Sequence, residues 1–417
     1  MKKDKINIAI ACELAPAKAI IPIIKKLKLL EEEGELNWKK SKIIALTHGK
    51  GTEKLVKDYC EELYPIGEGR ASGQKKRNTF QLAYLIIKDI FKAINALKNK
   101  NIDLLISCGN AGDVRKSIIA AKLLKIPILH IEQDIYNPIE VIAYANIITV
   151  PNKNYKDFLI EKYYISEKSS SEKSNSKKNN PEKSNSETNI PNKNIDKIKV
   201  IHGYPMASYV NDFVANENLQ TKEEIITKYG FGEFILLFLG GDIRSEDLKN
   251  TILAIKRLDF PTLIAPYRFK KELIEKIVNS DNETDTSKIK VVDEFVDILS
   301  LMKVAKLLIY GAGMGMTIEA GVLEVPSIKI AGFHEEHSSV DLAKELSIPI
   351  LKIEEIEEFL ANGNEIAKPN GDMLIKNSSI AIDKVLEIIN YLDFNNLPKK
   401  SGFKVMKAIW KERSKYR

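Results

Sequence analysis

Along most of the chain, short runs of apolar residues alternate with longer stretches in which apolar residues recur at helical spacing. Ile6 to Ala11, Ile43 to Thr47, Leu104 to Ser107, Ile126 to Ile131 and Ile147 to Val150 read as buried strands. Between them, Ala19 to Glu33, Thr52 to Leu63, Thr79 to Asn99 and Arg115 to Leu124 read as amphipathic helices. Strands that are apolar throughout must be covered on both faces, so this rhythm predicts a parallel sheet between helices. A second series begins at Phe234: Phe234 to Leu239, Thr262 to Ala265, Lys290 to Val292, Leu307 to Tyr310, Ser327 to Ile330 and Ile348 to Leu351. The expected fold is therefore α/β, with two tandem Rossmann-like doubly wound domains. Ligands of such sheets bind beyond the carboxyl ends of the strands, and the cleft between two halves is the expected active site.

A length of 417 residues exceeds one ordinary core, and 44% apolar residues suffice for two. The expected division is 1–165 for a first Rossmann-like domain, 198–230 for its last strand and a linker, and 231–385 for a second Rossmann-like domain. Residues 386–417 follow as a final helix and basic tail. Between the halves, 166–197 is almost purely Ser, Lys, Asn and Glu, a composition that cannot offset the entropy of ordering, and reads as a disordered insertion. Cys12, Cys60 and Cys108 show no metal or redox spacing and point to a reducing compartment. No apolar run approaches the roughly 20 residues of a membrane span. The opening lysines and small residues mimic a signal peptide, but Glu13 and Lys18 interrupt it, and Ile6 to Ala11 suits a first buried strand better.

The sharpest local feature is Gly311-Ala312-Gly313-Met314-Gly315-Met316-Thr317-Ile318-Glu319, which follows a strand and opens a helix. Glycines allow close backbone approach, and free N–H groups at a helix start attract phosphate. A tight turn without ligand has the same sequence. Glu319 sits where a carboxylate accepts bonds from ribose hydroxyls, and as a dipole partner it would look alike. Gly240-Gly241-Asp242-Ile243-Arg244 forms a second loop; Arg244 suits phosphate oxygens, while Asp242 would repel them. The third, Gly332 to Ser339, holds His334 and His337, but a zinc site needs a third ligand, so a solvated or sugar-contacting loop is the better reading and no metal is expected. His48, His130, His202, His334 and His337 all fall at or near strand ends. Gly67 to Arg77 is a Gly-rich basic loop suited to anionic oxygens. No nucleophile elbow and no aromatic platform for nucleic acid is present.

The order of these pieces resembles the family 28-type GT-B glycosyltransferases that add N-acetylglucosamine to a polyprenyl-diphosphate sugar in cell-wall synthesis. The stretches that carry the resemblance are 67–77, Asp103 to Gly109, Ile126 to Asp134, His202 to Pro205, Leu239 to Gly241, Val292 to Ser300, and Gly313 to Thr317 with Glu319 before Pro326. The resemblance implies a nucleotide-sugar site of Gly240, Gly241, Arg244, Gly311, Gly313, Gly315, Met316, Thr317 and Glu319, with His337, Ser338 and Ser339 near the sugar. It implies acceptor contacts at Arg70, Lys75, Lys76, Arg77 and Gln133. The family's first loop is Gly-rich and ends in His; here Ala11-Cys12-Glu13-Leu14-Ala15-Pro16 replaces it, and the family's paired glutamines are replaced near Ser338-Ser339.

The expectation is a metal-independent inverting glycosyltransferase that needs no cofactor. It would move a sugar from a UDP-sugar to a lipid-linked or phosphorylated acceptor, with Glu13, Glu132 or Asp134 as base. The alternatives are a UDP-sugar 2-epimerase of the same architecture, which needs clustered acid/base carboxylates and no lipid acceptor, and a non-catalytic scaffold. The net charge of +7 lies entirely in 399–417, where eight basic residues face Glu412 alone, so nucleic acid is not an expected partner. Phe403, Met406 and Trp410 recur there at helical spacing, which suits either an anionic membrane surface or a final helix packed on the first half. The expected location is cytoplasmic, and on the inner face of the membrane if the tail takes the first of these two roles.

Overall fold

The structure is a computed structural model that describes residues 3–49, 51–67, 79–109, 111–133, 144–160, 197–216, 219–239, 245–266, 269–280, 286–293, 297–311, 313–331, 338–394 and 397. Among these, residues up to 67, 79–204 and those from 380 onward form one compact unit, and 205–379 form another. The 166–197 insertion, up to residue 196, and the 399–417 tail lie outside the described residues.

The first unit is built on a seven-stranded parallel sheet in the order β3-β2-β1-β4-β5-β6-β7. Its strands are β1 (Lys3–Cys12), β2 (Trp38–His48), β3 (Glu62–Gly67), β4 (Leu104–Cys108), β5 (Ile128–Ile131), β6 (Ile147–Val150) and β7 (Ile198–Val200). Its helices are α1 (Leu14–Glu32), α2 (Thr52–Val56), α3 (Thr79–Leu97), α4 (Ala111–Leu123) and α5 (Lys153–Leu159). The core gathers Ala9 and Ala11 of β1, Leu46 of β2, Leu105 of β4 and Ile128 of β5 against Ala93 and Leu97 of α3 and Val114 and Ile118 of α4. Every second strand residue faces the helices on one side, and α1 covers the other with Ala17, Ile20, Ile21, Ile24 and Leu27.

The second unit repeats the plan with six parallel strands in the order β10-β9-β8-β11-β12-β13. These are β8 (Ile235–Phe238), β9 (Thr262–Ala265), β10 (Ile289–Val291), β11 (Leu307–Tyr310), β12 (Ser327–Ile330) and β13 (Ile350–Leu351). The helices are α6 (Pro205–Ala215), α7 (Lys222–Tyr229), α8 (Ser245–Arg257), α9 (Lys271–Val278), α10 (Ile298–Val304), α11 (Met314–Val322), α12 (Ser338–Glu345) and α13 (Ile353–Ala361). The last helix, α14 (Asp372–Asn390), starts in this unit and ends in the first, where Asn390 bonds Asn37 through both backbone and side chain at 2.7 and 2.8 Å. Both sheets thus start at a central strand and reverse direction beside it, and the two-unit doubly wound fold expected from the alternation is the one observed.

Two local expectations are corrected. The helix read over Thr52 to Leu63 stops at Val56, passes through a short 3-10 turn at Lys57–Tyr59 and becomes the edge strand β3. The carboxylate of Glu61 accepts from the Ile43 amide at 2.6 Å, and Glu62 pairs with Lys42 and with Lys100 at 2.7 Å, which fastens the segment to β2. Pro65 has no N–H for a helix, and an edge strand tolerates it. Helix α1 starts at Leu14, ahead of the expected Ala19, because Pro16 falls in the first turn, where a missing N–H costs nothing.

Candidate functional site

The direction of winding reverses between β8 and β11 in the second sheet, the place where a doubly wound sheet opens a crevice at its strand ends. The Gly311 amide donates to Phe238 O at 3.4 Å, which sets the Gly-rich turn at that point. Gly313 caps α11 with φ −84 and ψ −149 and no side-chain cap, leaving the amides of the first turn unclaimed by a cap. The turn is held by side chains: Tyr310 Oη donates to Thr317 Oγ1 at 3.1 Å, and Thr317 Oγ1 donates to Gly313 O at 3.4 Å. Tyr310 is fully buried, which pushes its phenol well above the ordinary range, so the hydroxyl stays protonated and keeps donating. The Lys329 ammonium lies 5.1 Å from the Tyr310 ring centre, on the neighbouring strand β12. Thr317 therefore builds the turn with its hydroxyl, and what α11 presents is backbone N–H and the positive end of its dipole.

Gly315 and Met316 stand in the first turn of α11, and Glu319 lies one turn further in, buried. Ser338 and Ser339 open α12, which packs on α11, and both are buried. Ser338 Oγ has no hydrogen-bond partner among the described residues. The structure thus brings Gly311, Gly313, Gly315, Met316, Thr317 and Glu319 into one strand-turn-helix, with the two serines on the adjoining helix. Gly240, Gly241, Arg244 and His337 lie outside the described residues.

The first sheet reverses between β1 and β4, and its strands end level with one another: Cys12 is in register with Cys108, Cys108 with Ile131, and Ile131 with Thr149. Glu13, Gly109 and Glu132 are the residues that follow these ends. Glu13 caps α1 in extended conformation without a side-chain cap bond. Gly109 has φ +122, and a methyl there would stand 2.6 Å from Pro16 Cγ, so only glycine lets α1 start this close to β4. The Glu132 amide donates to Thr149 O at 2.9 Å, and its side chain is 1% exposed.

Buried polar side chains gather at this end of the sheet. Ser107 Oγ and His130 Nδ1 are 3.0 Å apart, and His130 Nε2 stands 3.5 Å from Glu132 Oε2. Gln133 Nε2, next along, is buried without a hydrogen-bond partner among the described residues. Burial raises the thiols of both Cys12 and Cys108. For Cys108 the carboxylate of Glu132 is the next cause, and for both thiols Glu13 adds to it, so these cysteines remain protonated rather than nucleophilic. Asp134 lies outside the described residues, as do Arg70, Lys75, Lys76 and Arg77.

Sequence reading noticed His130 only as one of five strand-end histidines and assigned Ser107 nothing. The available signal was a serine and a histidine inside the otherwise apolar runs Leu104 to Cys108 and Ile126 to Ile131. Among the described residues, no group of three His, Cys, Asp or Glu side chains is arranged to hold a metal ion, and no helix is long and apolar enough to cross a membrane.

No family model and no curated protein matches the chain. Solved structures do. A UDP-GlcNAc 2-epimerase from Neisseria meningitidis, bound to UDP-GlcNAc, superposes with a TM-score of 0.64 at 15% identity, over 92% of this chain and 100% of the other. The Methanocaldococcus jannaschii UDP-GlcNAc 2-epimerase in complex with UDP-GlcNAc and UDP gives 0.57 at 17% identity, over 99% and 100%. The enzyme of that name from Rickettsia bellii gives 0.62 at 14% identity, over 94% and 98%. At such identities the likeness establishes the GT-B fold. It also overturns the glycosyltransferase expectation, because these three structures, each matched over more than nine-tenths of this chain, are 2-epimerases. The motifs behind that expectation mark a glycine-rich turn on a doubly wound sheet, an architecture that hosts more than one chemistry.

Proposed function

We propose that this chain is a UDP-sugar 2-epimerase that inverts C2 of a UDP-N-acetylhexosamine. The observation that carries the reading is the likeness of the whole chain, both units included, to enzymes of that activity. The cluster of Ser107, His130 and the buried Glu132 carboxylate at the first unit's strand ends agrees with it, since C2 inversion needs carboxylates for acid/base work and no lipid acceptor.

The chemistry follows from where electrons can go. The C2 hydrogen of such a sugar is not next to a carbonyl, so its removal leaves a pair that must be taken up by a neighbouring bond. The C1–O bond to the diphosphate is the one that can accept it. Proton loss from C2 with departure of UDP makes a C1–C2 double bond; return of a proton to the other face of C2, with UDP rejoining C1, gives the epimer with no atom gained or lost. One group must remove the proton and another deliver it. Glu132 and Glu13 are the first unit's candidates, with His130 Nε2 standing 3.5 Å from the Glu132 carboxylate as its neighbouring imidazole. In the second unit the α11 amides and dipole would stabilise the departing diphosphate, and Glu319 would hold the ribose.

Nucleotide binding is the direct check on the second unit's part. Isothermal titration with UDP is expected to show binding that weakens at least tenfold, about 1.4 kcal/mol, in Glu319→Ala. If neither UDP nor any UDP-sugar binds the native chain at millimolar concentration, the enzyme reading fails and a scaffold remains.

A further inference from the structure

Ser107 and His130 are polar residues set into strands that are otherwise apolar, β4 and β5. They are register partners, so their side chains leave the same face of the sheet, the one on which Leu105 and Ile128 join the core with α3 and α4. Both are fully buried. Glu132 stands two residues past His130 and continues the same alternation, with its amide tied to Thr149 O at 2.9 Å.

A buried imidazole with polar atoms on both sides has to be matched hydrogen for hydrogen. The 3.0 Å contact between Ser107 Oγ and His130 Nδ1 holds one hydrogen, given by one partner or the other. If Nδ1 gave it, the Ser107 hydroxyl would need a second acceptor, yet among the described residues its hydrogen-bond partner is His130 alone. The lone pair of Nε2 would then also face Glu132 Oε2 at 3.5 Å, oxygen lone pairs against nitrogen lone pair. If Ser107 gives it, both difficulties vanish. Nδ1 accepts, and the ring's own hydrogen sits on Nε2, toward the carboxylate. At 3.5 Å that N–H and the carboxylate meet as dipole and charge rather than through a closed hydrogen bond.

We infer that Ser107 is a positioning residue for His130: its hydroxyl donates to Nδ1, fixing the ring's orientation and the tautomer that turns Nε2–H toward Glu132. The bond does not depend on the proposed activity. Its use, to keep a positive N–H dipole beside the carboxylate that takes the C2 proton, rests on that reading. Nitrogen NMR of the full chain labelled at histidine is expected to show His130 protonated on Nε2 and unprotonated but hydrogen-bonded on Nδ1. In Ser107→Ala the Nδ1 signal should move to the position of a nitrogen without a donor. With UDP-GlcNAc, Ser107→Ala should lower kcat about tenfold and leave KM unchanged, and Ser107→Thr, which keeps the hydroxyl, should restore it. Should Ser107→Ala fail to fold, the native spectrum alone decides the direction of the bond. A native ring protonated on Nδ1, there alone or on both nitrogens, an Nδ1 signal unmoved in Ser107→Ala, or an unchanged kcat in that variant would each overturn the inference. A native chain that gives the expected spectra but epimerises no UDP-sugar would count against the activity and leave the bond standing.

Discussion

His48 closes β2 with no exposed surface, its Nε2 2.8 Å from Ser117 Oγ. Burial, and then the nearby Lys116 ammonium, lower its pKa from 6.5 to about 3. The folded chain therefore holds His48 neutral where the unfolded chain would protonate it. Its contribution is complete above pH 6.5 and is lost as pH falls toward about 3, at up to about 1.4 kcal/mol per pH unit. Urea unfolding of the native chain and of His48→Gln between pH 7 and pH 4 checks this: the native midpoint should fall more steeply, and parallel curves would contradict it. The position of this residue was legible from the sequence, since all five histidines stood at or near predicted strand ends. Its role was not. Ser117 is 69 residues away, and a buried partner at that separation leaves no local pattern.

The Gly-rich turn was the most legible element, because a strand, a glycine pair and a helix start are all written locally at 307–319. The packing that supports it was not written there. Gly371, just ahead of α14, lies against the far end of α11: a methyl on it would run into the Gly321 carbonyl oxygen and stand 3.0 Å from Val322 Cα. Backbone atoms cannot swing aside as a side chain can. Gly371→Ala is expected to cost about 1–3 kcal/mol, seen as a lower thermal midpoint, while Gly232→Ala, which meets nothing within 4 Å, should leave the midpoint unchanged. The edge strand β3 shows the opposite case, in which helical spacing over Thr52 to Leu63 was overruled by pairing with β2 and by Pro65.

For the whole molecule, periodicity carried the architecture: each half has its central strand first and its reversal beside it, as the alternation of runs required. Activity was less legible because a doubly wound fold is common to enzymes with different chemistries. The proposed acid/base groups lie in the first unit. There Cys12-Glu13 stands in place of a Gly-His loop, and Glu132 is buried against His130, a contact that comes from the folded strand ends rather than from any motif. The lipid-linked acceptor was tied to the transferase reading and has no place in an epimerase. The central claim, that this chain breaks and remakes the C2–H bond of a UDP-sugar, is tested by incubating it with UDP-GlcNAc alone in deuterium oxide and following the sugar by proton NMR. The 2-epimer should appear with deuterium at C2, and Glu132→Gln should slow its appearance at least a hundredfold, about 2.7 kcal/mol in the barrier. UDP-GlcNAc that binds but returns with its C2 hydrogen intact and no epimer would contradict the claim.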